Sequence, residues 1–136
     1  MGQSPDSDTL TDGVRVQAAA RFLEDESDPE RPVFVYGYTI RITNEGRERV
    51  KLLSRHWIVL DAHNRKEEIV GEGVVGRQPE LRSGEMYEYT SRCPLGTEWG
   101  TMEGSYTFER RGGERFEVAV GRFFLVPSAR GAGVGE

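Results

Sequence analysis

Residues 33–43 alternate between large apolar side chains and smaller or polar ones, and this alternation limits the fold more than any other feature of the chain. Successive side chains of a β-strand point to opposite sides, so a period of two predicts a strand with one buried face. Such a face needs a second layer of structure to cover it. The large residues on it are Phe34, Tyr36, Tyr38, Ile40 and Ile42.

Six further segments have strand-like patterns, and turn sequences rather than helical repeats separate them. Asn44 and Gly46, for example, are expected to form a turn because both residue types accept a positive φ. About seven short strands without helical crossovers predict an all-β fold, an antiparallel β-sandwich that is immunoglobulin- or fibronectin type III-like. The six segments are residues 14–23, 50–61, 66–71, 85–92, 100–110 and 115–120.

The sequence predicts one domain, over residues 14–127, between two mobile tails. Residues 1–13 are small, polar and turn-prone, and residues 128–136 are rich in glycine and alanine. With 36% apolar residues, the chain has enough apolar material for a core of ordinary size.

Charge and hydropathy exclude several classes of protein. The whole net charge of −5 arises in residues 1–32, whereas residues 33–127 carry 14 basic and 14 acidic side chains. Binding to a nucleic-acid backbone requires a basic excess, so a nucleic-acid partner is not expected. No apolar run approaches the length of a membrane span, so no membrane insertion is expected. A single cysteine and the lack of a recognisable secretory signal favour a cytoplasmic protein.

Residues 71–76 match the G-x-G-x-x-G pattern through Gly71, Gly73 and Gly76. A dinucleotide site requires a helix to begin at this point, and Pro79 would break that helix in its first turns. The glycines are therefore expected to form a loop or bulge between strands. A second interpretation stays open: backbone amides of the loop, with Arg77 beside them, would bind a phosphate group.

Side chains suited to catalysis or metal binding are few. Two histidines and one cysteine cannot supply the four ligands of a structural zinc site, and the acidic residues in segment 24–30 are expected to form a solvated loop. Nothing local supports a nucleophilic arrangement of Cys93, His56 and Asp61, and a buried structural thiol is the preferred interpretation of Cys93. We predict no catalytic residue, cofactor or metal ligand.

Two residues are candidates for contact with a partner protein. Trp99 lies in a predicted loop, where an exposed tryptophan would be a typical interface anchor. Arg55 is the second candidate, while most of the tyrosines are needed for the core.

Several segments, in order, resemble the ApaG family. The similarity covers about residues 14–127, and one departure is Ala119 to Phe123, where that family usually carries Ile-Pro before the phenylalanine. The matching segments are residues 38–44, 53–58, 71–79, 83–85, 89–91, 93–95, 100–106 and 113–116.

The resemblance implies a fibronectin type III-like sandwich in a small cytoplasmic bacterial protein. It also implies links to cobalt resistance, to magnesium efflux and to genes for diadenosine tetraphosphate hydrolysis. Related domains occur in an F-box protein and in a protein that binds a DNA polymerase. The resulting prediction is a non-enzymatic protein-interaction module with an indirect role in cobalt and magnesium homeostasis. The alternative is a phosphate- or nucleotide-binding protein that uses residues 71–77, and a homodimer is a further open arrangement.

Overall fold

The computed structural model describes residues 5–127, which form two antiparallel sheets packed face to face. The first sheet has the strand order β1-β2-β3-β7, and the second has the order β5-β4-β8-β9, with β6 paired to β4. The predicted all-β sandwich is therefore confirmed. Its strands are β1 Ser7–Thr11, β2 Val14–Phe22, β3 Phe34–Asn44, β4 Val50–Asp61, β5 Lys66–Glu72, β6 Glu80–Leu81, β7 Met86–Leu95, β8 Gly100–Arg110 and β9 Arg115–Leu125.

The alternation in β3 has the predicted consequence. Tyr36, Tyr38, Ile40 and Ile42 are buried against the second sheet. At the centre of the core, the ring of Trp57 in β4 meets Tyr38 edge-on at 5.5 Å and also packs against Tyr106 and Phe123. Edge-to-face contacts of this kind stabilise a core beyond the area that they bury.

A bulge in β4 changes which residues face the core. Val50 and Leu52 are buried before it, and Trp57 and Val59 are buried after it, so the inward positions move from even to odd numbers. The pairing with β8 shifts between Leu52 and Ser54, which leaves one extra residue, Leu53. This shift explains why the buried apolar residues of this segment change phase between Leu52 and Trp57.

The predicted tail over residues 1–13 is partly wrong, because residues 7–11 form β1. This strand pairs with β2 along its length, and Thr9 Oγ1 donates a hydrogen bond of 2.8 Å to the Ala119 carbonyl in β9. A polar surface strand has no apolar alternation to reveal it. Because β1 lies beside β9, the two sheets contact each other along the side of the sandwich that these strands form. On the opposite side, β7 and β5 are the edge strands of the two sheets. The predicted tail over 128–136 lies outside the described residues.

Local details differ from expectation at three other places. The turn after β3 does not use a positive φ at Asn44 or Gly46; instead, the buried Asn44 side chain accepts a hydrogen bond from the Gly46 amide. The strand predicted over residues 85–92 continues through Cys93 to Leu95 in β7, and Pro94 is accommodated because β7 is an edge strand. The predicted strand over residues 115–120 extends to Leu125 as β9, with a bulge opposite Glu103.

The acidic segment before β3 is largely solvated, as expected. Glu24–Glu26 forms a single 3-10 turn, and Glu26 receives two hydrogen bonds of 2.7 Å from Arg92 in β7. No helix within the described part of the chain has the length and apolar character needed to cross a membrane.

Candidate functional site

The glycine-rich segment forms a tight hairpin turn and does not begin a helix. The Val74 amide donates to the Arg77 carbonyl at 2.8 Å, and the Arg77 amide donates back to Val74 at 3.0 Å. Between them, Val75 and Gly76 have φ values of 49° and 77°. Two positive φ values in succession are typical of the turns that join adjacent antiparallel strands. The expectation that these glycines lack a following helix is confirmed.

Gly73 connects this turn to the bulge in β4. Its amide donates a hydrogen bond of 2.8 Å to the carbonyl of Leu53, the extra residue of the bulge. Its φ is 66°, and a Cβ there would lie 2.4 Å from the Arg77 carbonyl oxygen. Only glycine fits this position without strain. The amides of Gly73, Val74 and Arg77 are thus engaged within the protein, which reduces the number that could face a phosphate group.

Gly71 makes room for the guanidinium of Arg55. A Cβ on Gly71 would lie 2.7–2.9 Å from three guanidinium atoms. Arg55 Nη1 donates to the carbonyls of Glu72 and Gly73 at 3.1 and 2.9 Å. The glycine-rich segment therefore holds a cation in a fixed place, whereas the second interpretation of the sequence was a loop whose amides bind an anion directly.

Arg55 lines a cleft of about 330 Å³ between the two sheets, on the side where β7 and β5 form the edges. We refer to this space as the interlayer cleft. Trp57 and Tyr38 contribute aromatic rings to its lining, and Val74 contributes an apolar side chain. Its lining also includes Glu67, Ile69, Tyr89, Arg92, Cys93 and Met102.

Three buried polar groups lie at or next to the interlayer cleft: the indole N–H of Trp57 and the hydroxyls of Tyr89 and Tyr106. Trp57 is 3% exposed, and its Nε1 has no hydrogen-bond partner. The hydroxyls of Tyr89 and Tyr106 form a hydrogen bond of 2.6 Å. Burial holds the pKa of both tyrosines above the ordinary value, so both hydroxyls stay protonated at neutral pH.

The structure does not bring Cys93, His56 and Asp61 together. Cys93 lines the interlayer cleft. His56 lies on the other side of its sheet, where its Nε2 is 3.5 Å from Glu68 Oε1. The hydrogen bond from Arg65 is the main reason why the pKa of the Asp61 carboxyl lies below its ordinary value. Among residues 5–127, no three His, Cys, Asp or Glu side chains gather as they would around a metal ion.

Cys93 is expected to react slowly with thiol reagents. Burial, assisted by the charge of Glu67, raises the pKa of its thiol to about 11. Against a thiol pKa of about 8.5 in the unfolded chain, the thiolate fraction at pH 8 should fall at least about 100-fold. Labelling of the native protein with a chromogenic disulfide at pH 8, compared with labelling in denaturant, measures this difference. Equal rates would show that the thiol is not buried as described.

The other predicted contact residue, Trp99, is 43% exposed. Its loop is ordered by Thr97, whose hydroxyl donates to the Trp99 carbonyl at 2.8 Å and accepts from the Ala62 amide at 3.0 Å. The residue after Trp99 begins β8, and the second residue of that strand, Thr101, pairs with Phe124 in β9. Trp99 and Phe124 therefore lie at the same end of the second sheet.

The second sheet carries a cluster of apolar side chains on the face away from the core, which we call the apolar outer face. Because Trp57 and Val59 point inward, the alternating residues Ile58 and Leu60 point outward, and both are partly exposed. Val70 in the adjacent strand β5 and Phe124 in β9, on the far side of β8, lie on the same face of the sheet and are 73% and 54% exposed. The apolar outer face consists of Ile58, Leu60, Val70 and Phe124.

The charges on the same surface are matched locally. Lys66 lies 3.3 Å from Glu68, and Arg122 lies 3.1 Å from Glu103. These ion pairs lie among the apolar side chains, since Glu68 and Glu103 pair with Ile58 on either side, and their charges balance.

Comparison with known proteins identifies the family. The model of the ApaG domain matches residues 24–110, well over half of the chain. The chain belongs to the ApaG family. Protein ApaG of Methylobacterium sp. (strain 4-46) is 48% identical over 121 residues, a match that covers 88% of this chain and 93% of that protein. Protein ApaG of Anaeromyxobacter sp. (strain K) is 45% identical over 120 residues, which cover 88% of this chain and 94% of that protein.

A solved structure agrees with this ApaG fold. The crystal structure described as an ApaA protein from Bordetella pertussis is 44% identical, with a TM-score of 0.81. The match covers 83% of this chain and 92% of that one. In this ApaG-family chain, the interval Ala119–Phe123, which departs from the usual Ile-Pro pattern, lies within β9. There Gly121 lies close to β1, and a Cβ on it would be 3.0 Å from Thr9 Cγ2.

Proposed function

We propose that this ApaG-family chain acts in the cytoplasm as a non-enzymatic protein-interaction module. The observation that carries the proposal is the apolar outer face, where four apolar side chains lie together on an exposed sheet surface. Exposed apolar groups that cluster, rather than occur singly, are typical of protein-binding surfaces. The partner surface should itself be apolar and low in net charge, since the ion pairs beside the apolar outer face already satisfy one another.

Trp99 belongs to this proposal as a residue at one end of the contact. It lies at the Phe124 end of the sheet, and a half-exposed tryptophan buries a large area at little entropic cost when a partner covers it. Arg55 lies in the interlayer cleft, so we do not include it in the partner contact.

The proposal keeps the connection to cobalt resistance and magnesium efflux indirect. In this view the chain binds a protein of the ion-handling system and changes that protein's activity. Phosphate or nucleotide binding through Gly71, Gly73, Gly76 and Arg77 remains the alternative, with less support because three of the loop amides already donate within the protein.

Site-specific photocrosslinking in living cells tests the interaction surface. A photoreactive phenylalanine analogue at position 70 or 124 should give a discrete crosslinked product, whose mass distinguishes a second copy of this chain from another protein. The same analogue at position 10 is the matched control, because Leu10 is also an exposed apolar strand residue, 59% accessible, but lies in β1.

The substitution Phe124→Asp should reduce the product formed from position 70 by at least about fivefold, because it places a charge in an apolar contact. Circular dichroism of the variant checks that the fold is retained. Products of equal yield from positions 70 and 10, or no discrete product from positions 70 and 124, would contradict the proposal. Products that survive Phe124→Asp unchanged would exclude the apolar outer face.

A further inference from the structure

The interlayer cleft contains a cation that has no acidic partner. Among residues 5–127, none of the ion pairs includes Arg55. Its Nη1 is used by two backbone carbonyls, which leaves the remaining guanidinium donors for another acceptor. The other arginine of the cleft, Arg92, already makes a two-pronged contact with Glu26. Arg55 is thus the positioned and available positive charge of this cleft.

The buried polar groups near Arg55 can also act as donors. Trp57 Nε1 can only donate, and it is buried without a partner. Tyr89 and Tyr106 share one hydrogen bond, so one of their two hydroxyl hydrogens is not used between them. If Tyr106 donates to Tyr89, the hydrogen of Tyr89, which lines the cleft, is available. A buried donor without an acceptor costs free energy, and a ligand with acceptor oxygens would recover that cost.

The rest of the cleft is suited to an apolar body. Ile69, Val74 and Met102 line it together with the ring of Tyr38. Its volume of about 330 Å³ is at the small end of the range for ligand pockets. We propose that the interlayer cleft binds a small organic monocarboxylate with an aromatic or branched apolar body, whose carboxylate meets Arg55 and the indole N–H of Trp57.

Charge favours a carboxylate over a phosphate. A guanidinium matches the two oxygens of a carboxylate in one plane. A phosphate ester or pyrophosphate carries more charge than one available arginine can balance, and the exposed Glu67 at the same cleft would repel it further. This inference is independent of the proposed interaction surface, which lies on the opposite face of the same sheet.

The two tryptophans provide an internal control for a binding test. Benzoate and 3-phenylpropionate are titrated to about 10 mM into the full chain, and the indole N–H signals are followed by proton–nitrogen NMR. The signal of Trp57 should shift in a saturable manner, with a dissociation constant in the range of about 1 mM that ligands of this size reach. The signal of Trp99, in its surface loop, should not move. Benzamide has the same ring without the charge and should bind at least about tenfold more weakly.

Three variants locate the site. Arg55→Gln removes the cation and should weaken binding at least about tenfold. Gly71→Ala keeps the charge but places a Cβ within 2.7–2.9 Å of the guanidinium, so it should displace Arg55 and also weaken binding. Arg41→Gln makes the same charge change on the outer face of β3, where Arg41 pairs with Glu88, and should leave binding unchanged. Thermal unfolding of each variant shows that the fold persists.

Several outcomes would overturn the inference. One is the absence of a saturable Trp57 shift with both acids, and another is equal binding by wild type, Arg55→Gln and Gly71→Ala. A stronger Trp57 response to pyrophosphate or ATP than to the acids would assign the cleft to phosphates.

Discussion

Replacing Gly104 with alanine should lower the free energy of unfolding by about 3 kcal/mol, because the added methyl group has no space. A Cβ at this position would lie 2.0 Å from the His56 carbonyl oxygen and 3.0 Å from its carbonyl carbon. Both atoms belong to the backbone of β4, which pairs with β8 along almost its whole length. The strand would therefore have to move, and Trp57, which pairs with Gly104, would move with it.

Gly112→Ala is the matched control. Gly112 lies in the hairpin between β8 and β9, where an added Cβ meets nothing within 4 Å. Its effect should stay within about 0.5 kcal/mol. Denaturant titration of both variants, with the slope m compared as well as the midpoint, separates a loss of stability from a change in the unfolded state. Equal midpoints would mean that β8 and β4 are not as close as the structure places them.

Gly73→Ala should cost about 2–4 kcal/mol, since it combines a backbone penalty with a steric one. The φ of 66° disfavours any residue with a Cβ, and that Cβ would lie 2.4 Å from the Arg77 carbonyl oxygen. The loop could relieve the contact only by breaking the short hairpin of Val74 and Arg77. Thermal unfolding should show a decrease in Tm of about 10 °C for a chain of this size.

Gly76→Ala separates the two contributions. Gly76 has a similar φ of 77°, but a Cβ there meets nothing within 4 Å, so its cost should be about 1 kcal/mol. The difference between the two variants measures the contact with Arg77. If Gly76→Ala is as harmful as Gly73→Ala, the steric part of the explanation is wrong.

The strands could be predicted wherever alternation and burial coincide. In β3 the predicted face is the buried face, and β4 and β8 have the predicted bounds. Prediction failed at β1, whose residues have no apolar alternation because the strand lies on the surface and is held largely by backbone pairing and threonine hydroxyls. The prediction was incomplete in β4, where the inserted residue Leu53 reverses which alternating side chains point toward the core.

The candidate site could be predicted only in part. The glycines were recognised as a loop between strands because Pro79 is incompatible with a helix there. Their role as supports for Arg55 depends on distances between β4 and β5. The spacing of these residues along the sequence does not determine those distances. The apolar outer face could not be predicted from the sequence for the same reason. Leu60 and Phe124 are far apart in the sequence and lie on one face only because β4 pairs with β8 and β8 pairs with β9.

Local periodicity, turn residues and the placement of proline follow from short-range sterics, so the amino-acid sequence alone determined the all-β class, most strand positions and the absence of a nucleotide-binding helix after Gly76. Long-range pairing decided the rest. The register between strands placed Arg55, which has no acidic partner among the described residues, beside Trp57 in a cleft and brought four apolar side chains to one exposed face. These are properties of side chains that meet across sheets and strands, and their free energies depend on neighbours that the linear order does not specify.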